Sequence, residues 1–217
     1  MSTPLPSDPS VAAFGASLTA ITLAELGDKT FFMALILAAR HRGRDVFIGA
    51  FGALTAVTLI SLGLGYGLRE LLPTSVVPWL ATILFVGFGA KLLLDAQLMA
   101  ADEAEAEEKE AEKVIDAAES RSRINTTWAV IWEAFALVFI AELGDRTQFT
   151  TVFLATAPAF TFAGLLAGTL AGHALVTWLA VGAGKWIGGR ISEPLLYRLS
   201  GGLFIAFGLF SLHQALS

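Results

Sequence analysis

The hexapeptide ELGDKT, residues 25–30, returns almost unchanged as ELGDRT, residues 142–147, and each copy lies in the middle of a long apolar run. The runs cover about residues 11–39 and 128–156. Either is long enough to cross a bilayer, for which ~20 residues suffice. Glu25, Asp28, Glu142 and Asp145 are therefore expected near the bilayer midplane, where a charge costs at least ~2.5–3.5 kcal/mol on insertion scales. Nothing in lipid packing requires four acids at that depth, so the pattern reads as an ion site.

The chain of 217 residues is 55% hydrophobic and only 15% charged, with a mean hydropathy of +0.69. That is the profile of a polytopic membrane protein and not of a soluble domain. The absence of cysteine excludes disulfide frameworks, thiolate metal sites and thiol catalysis. Residues 1–10 hold no Lys or Arg and so lack the basic flank of a secretory signal or transit peptide. The first run is thus expected to be retained as a span. The formal charge of −5 is local: residues 101–123 hold nine acids against four bases, and the remainder is balanced.

Hydropathy predicts an all-α membrane protein with six spans, at about 11–39, 46–68, 79–98, 128–156, 160–183 and 195–215. The halves match beyond the hexapeptide. Phe47-Ile48-Gly49-Ala50 resembles Phe162-Ala163-Gly164-Leu165, and residues 85–89 resemble residues 204–208. The chain is read as two three-helix repeats, residues 1–99 and 125–217, joined by an acidic linker at 100–124. Three is odd, so the second repeat enters the membrane inverted, as in many secondary transporters. Basic residues collect on alternate connections: Arg40, Arg42 and Arg44, then Lys109, Lys113, Arg121 and Arg123, then Lys185, Arg190 and Arg198, against Arg69 alone on the other side. The positive-inside rule then places the linker in the cytoplasm and both termini outside it. The linker reads as helix, with i,i+4 pairs Glu105–Lys109 and Glu119–Arg123. It is either a solvated connection or an acidic surface that gathers divalent cations.

On a helix Glu25 and Asp28 share one face at i,i+3, as do Glu142 and Asp145. Gly27 and Gly144 between them admit a neighbouring backbone or allow local unwinding that frees carbonyls. Thr30 and Thr147 add hydroxyls, and Gln148 adds an amide where the first copy has Phe31. Such a set offers oxygens only, which suits calcium, magnesium or manganese better than zinc or copper. Four carboxylates exceed the charge of one dication, so Lys29 and Arg146 compensate or protons do. If protons do, cation arrival expels them, and cation:proton antiport follows. The competing reading is structural, since Glu25–Lys29 and Glu142–Arg146 have the spacing of intrahelical ion pairs. Duplication at matching depth, each copy with an added Asp, argues against it.

His173 in the fifth span either relays protons or is packing. Glu133 could line an entrance from outside, and Lys91–Asp95 reads as an interfacial pair. Gly63, Gly65 and Gly67, with Gly164, Gly168 and Gly172, point to close helix packing.

With both copies of E-x-G-D-[KR]-[ST] and the acidic linker between them, the whole chain resembles the Gdt-type family of cation:proton exchangers. The resemblance implies six transmembrane helices and exchange of manganese or calcium for protons, with export from the cytosol. It implies a cation site of Glu25, Asp28, Glu142 and Asp145, supported by Thr30, Thr147 and Gln148. Phe31, where the family often has Gln, departs from that pattern. Manganese is the leading substrate and a calcium/proton exchanger the alternative. A passive cation channel would need a continuous polar path, and an intramembrane hydrolase a separate nucleophile, so neither is favoured. The expected partners are the ion, protons and lipid, with no nucleic acid and no resident cofactor, and a homo-oligomer is left open. The short N-terminus without a targeting sequence points to a bacterial inner membrane.

Overall fold

A computed structural model describes residues 8–26, 28–71, 73, 75–98, 104–119 and 126–184, with scattered positions from 198 onward. Among the described residues all regular structure is helical. The order is α1 (Pro9–Glu25), α2 (Lys29–Arg40), α3 (Gly43–Leu71), α4 (Val77–Leu98), α5 (Ala104–Glu119), α6 (Thr127–Glu142), α7 (Arg146–Thr156) and α8 (Phe162–Ala183). The starts follow local chemistry. Asp8 accepts from the Ser10 N–H with Pro9 behind it, Thr126 accepts from Ala129 N–H, and Thr161 from Gly164 N–H.

Two helices, α3 and α8, are long and apolar enough to cross a membrane alone. The pairs α1–α2 and α6–α7 qualify when each is taken as one bent span, with angles of 67° and 66°. Helix α4 stands where the third span is predicted; the sixth, at 195–215, falls on positions of which only scattered ones are described. Large apolar side chains such as Trp132, Ile140, Trp178 and Ile83 are exposed, while Glu25 and Glu142 are buried. That inside-out distribution is stable only against lipid.

The predicted continuous motif helices are corrected: each run breaks at the hexapeptide. Helix α1 stops at Glu25 and α6 at Glu142, and the chain restarts at Lys29 and Arg146. Gly144 sets the second break with φ +84°, a left-handed conformation that costs glycine little. Both breaks close alike, with Asp28 N–H donating to the Glu25 carbonyl and Asp145 N–H to the Glu142 carbonyl, each at 3.2 Å.

Packing is reciprocal. Helix α3 of the first half lies on α6 and α7 of the second, while α8 lies on α1 and α2. Glycines permit both contacts. A Cβ at Gly49 would land on the Ile131 carbonyl oxygen and one at Gly65 on that of Val152. At Gly164 and Gly168 it would strike the carbonyls of Ser10 and Phe14. These close approaches let backbones pack by dispersion where no hydrophobic force acts between helices. Among the described residues Gly63 and Gly67 meet nothing within 4 Å.

The linker helix α5 docks on α2. Ala111 and Ile115 are fully buried, and its acids face bases on α2: Glu110 meets Lys29, while Arg40 Nη1 reaches Asp116 at 2.6 Å and Glu119 at 2.9 Å. A connection solvated all round is therefore corrected to an amphipathic helix seated on the bundle.

Candidate cation site

The two breaks meet in the interior. One carboxylate oxygen from each of Glu25, Asp28 and Glu142 lies within 4.8 Å of the other two. All three residues are buried. Asp28 and Asp145 occupy the N-cap positions of α2 and α7, where the helix dipole favours an anion. Glu25 and Glu142 end α1 and α6, where the negative ends of broken helices favour a cation. The acids thus share a site because the helix stops between them, and not because they occupy one helical face.

Each glutamate is held through one oxygen. Thr30 Oγ1 donates to Glu25 Oε2 at 3.1 Å and Thr147 Oγ1 to Glu142 Oε2 at 2.9 Å. The other oxygen of each, Oε1, is buried without a hydrogen-bond partner. Buried polar atoms are seldom left so; two unsatisfied carboxylate oxygens in one cluster are the chemistry of a cation ligand set.

The remaining predicted residues divide. Asp145 stands outside the close trio, and its Oδ2 accepts from the Thr147 N–H at 3.2 Å and hydroxyl at 3.3 Å. Gln148 Oε1 accepts from the Gly144 N–H at 2.7 Å, so it braces the turn. Phe31 is buried beside Glu25 and lines a small cavity with Thr30, His173 and Thr177. The two halves of the site are therefore unlike in their polar groups.

His173 was open between relay and packing. It is buried, with Nδ1 3.5 Å from Glu25 Oε1, so a nitrogen adjoins a set expected to hold oxygens only. Lys29 is not an intrahelical partner of Glu25, since its ammonium bonds Glu110 of α5. The side chains of Arg146 and Asp95 lie outside the described residues. Glu133 is corrected from an outer entrance to the linker end of the bundle, beside His41 and Glu119. The α2–α5 ion pairs escaped the sequence reading. Its available signal was Ala111, Val114 and Ile115, spaced on one face of a helix otherwise rich in acids and alanine.

The fold and this cluster define a helical membrane protein with carboxylates converging in its interior. The chain belongs to the GDT1 family of divalent cation/proton antiporters, whose profile matches residues 13–100 and again 130–217. It is 41% identical over 202 residues to a GDT1-like protein of Synechocystis sp., covering 93% of this chain and 97% of that one. It is 38% identical over 210 residues to GDT1-like protein 1, chloroplastic, of Oryza sativa subsp. indica (92% of this chain, 61% of the relative). Over 209 residues it is 38% identical to protein PAM71, chloroplastic, of Arabidopsis thaliana (90% and 55%). The chain thus spans nearly all of the cyanobacterial relative and about three-fifths or less of these two chloroplastic ones. No solved structure matches it.

Proposed function

We propose that this chain exports a divalent cation from the cytosol, manganese first and calcium second, in exchange for protons. The observation that carries the reading is the convergence of Glu25, Asp28 and Glu142 within 4.8 Å, with Glu25 Oε1 and Glu142 Oε1 lacking hydrogen-bond partners. Three carboxylates against one dication leave one negative charge, so ion and protons compete for the same oxygens. That competition is the exchange. Asp145 completes the ligand set as the breaks rearrange, while Thr30 and Thr147 orient the glutamates and Gln148 holds the turn.

The architecture we assign is six membrane spans in two inverted three-helix repeats, residues 1–99 and 125–217, around the linker 100–124. The reciprocal seating of α3 on α6–α7 and of α8 on α1–α2 supports it, as does the double match to the family profile. The positive-inside pattern supports a cytoplasmic linker and external termini, and a bacterial inner membrane is the location we propose.

Reconstituted vesicles carrying a pH dye test the reading. Manganese flux is expected to drive protons the opposite way, with calcium competing. Glu142→Gln and Glu25→Gln are each expected to abolish both fluxes. Cation flux without proton movement, or full flux in both variants, would contradict it.

A further inference from the structure

Three side chains that the cation site does not use meet where α2, α5 and α6 converge. His41 caps the C-terminus of α2, Glu119 ends α5, and Glu133 lies in the first half of α6. A nitrogen of His41 and a carboxylate oxygen from each glutamate all lie within 4.8 Å of one another. His41 Nε2 is 3.1 Å from Glu119 Oε1. One ion with bonds of ~2.0–2.2 Å holds donors at most ~4.4 Å apart, so a small closing of the side chains completes the set.

Glu133 supplies a second, independent observation. Both its carboxylate oxygens are sealed from solvent, and neither has a hydrogen-bond partner. A carboxyl sealed in this way meets a cation or takes up a proton, and a bound ion would satisfy both oxygens. Arg40 is already engaged, by Asp116 at 2.6 Å and Glu119 Oε2 at 2.9 Å, with exposed Glu112 at 3.6 Å. If Asp116 balances Arg40, Glu119 and Glu133 leave two negative charges beside an imidazole, the complement of one dication.

We propose that His41, Glu119 and Glu133 form a second divalent-cation site. Its mixed nitrogen and oxygen donors suit a first-row transition ion better than calcium. The three ligands come from three elements: the linker helix and one helix from each broken pair. A bound ion therefore fastens the end of α5 to both. A further contact of α5 with α2 is Glu110 on Lys29, next in sequence to Asp28, so the ion steadies a helix that reaches the neighbourhood of the transport site. The regulatory part of the inference rests on the transport reading; the existence of the site does not.

Counting Mn2+ on the purified full-length protein, by equilibrium dialysis with electron paramagnetic resonance, tests the site. The wild type is expected to bind two ions per chain. Glu133→Gln and His41→Gln, both close in shape, are each expected to leave one. The affected site should weaken by at least the roughly 10–100-fold that losing even an outer partner of a ligand costs. Glu142→Gln is expected to remove the other ion and spare this one. In a second measurement, Mn2+ should slow hydrogen exchange across residues 104–119 in the wild type and in Glu142→Gln, but not in Glu133→Gln. Unchanged stoichiometry in both Glu133→Gln and His41→Gln, or no slowing in the wild type, overturns the second site. Unchanged binding in Glu142→Gln overturns the transport-site reading instead.

Discussion

Thr147 donates its hydroxyl to Glu142 at 2.9 Å across the break between α6 and α7, so one bond joins the end of one helix to the start of the next. The same hydroxyl lies 3.3 Å from Asp145 Oδ2. Thr30 makes the corresponding bond to Glu25 at 3.1 Å. A hydrogen bond to a charged group is worth about 1.5–3 kcal/mol. Thr147→Val and Thr30→Val are therefore each expected to raise the KM for manganese by about 10- to 100-fold. Initial rates of cation uptake in vesicles check this; an unchanged KM in both variants would show that these bonds carry nothing.

Gly144 gives a second prediction. Its φ is +84° and no atom lies within 4 Å of where a Cβ would stand, so any penalty comes from the backbone alone. Gly144→Ala is expected to cost ~1–2 kcal/mol, seen as weaker cation binding. Gly144→Asn should cost less, because Asn tolerates the left-handed region. Binding isotherms for the two variants separate this strain from simple crowding.

Helix seating can be tested by its glycines. Gly49→Ala and Gly164→Ala push a methyl into the Ile131 and Ser10 carbonyls, overpacking that costs ~1–3 kcal/mol. Gly63→Ala meets open space, and gains ~0.5–1 kcal/mol of helix propensity. Thermal unfolding in detergent should drop for the first two and hold or rise for the third.

The docked linker makes the fourth case. Ile115 of α5 is fully buried, so Ile115→Ala should cost ~2–5 kcal/mol of local packing. Faster hydrogen exchange across residues 104–119 is the expected result. Deleting residues 102–119 is expected to lower transport, since it strips Lys29 and Arg40 of their partners; undiminished transport would mean the helix is only a tether.

The sequence by itself determined the membrane class, the helical content and the identity of the acids at issue. Apolar runs and a repeated ELGD motif are local signals, and burying a carboxylate in lipid is costly enough to mark it wherever it occurs. Tertiary structure alone decided how the acids share a site. The runs bend at Glu25 and Glu142, and that bend depends on backbone dihedrals such as that of Gly144, which apolar periodicity does not encode. It also decided that Lys29 leaves its i,i+4 neighbour for Glu110, and that His41, Glu119 and Glu133 meet. Those contacts join positions about eighty residues or more apart along the chain, or across the linker, and only the seating of α5 on the bundle brings them within reach of one another.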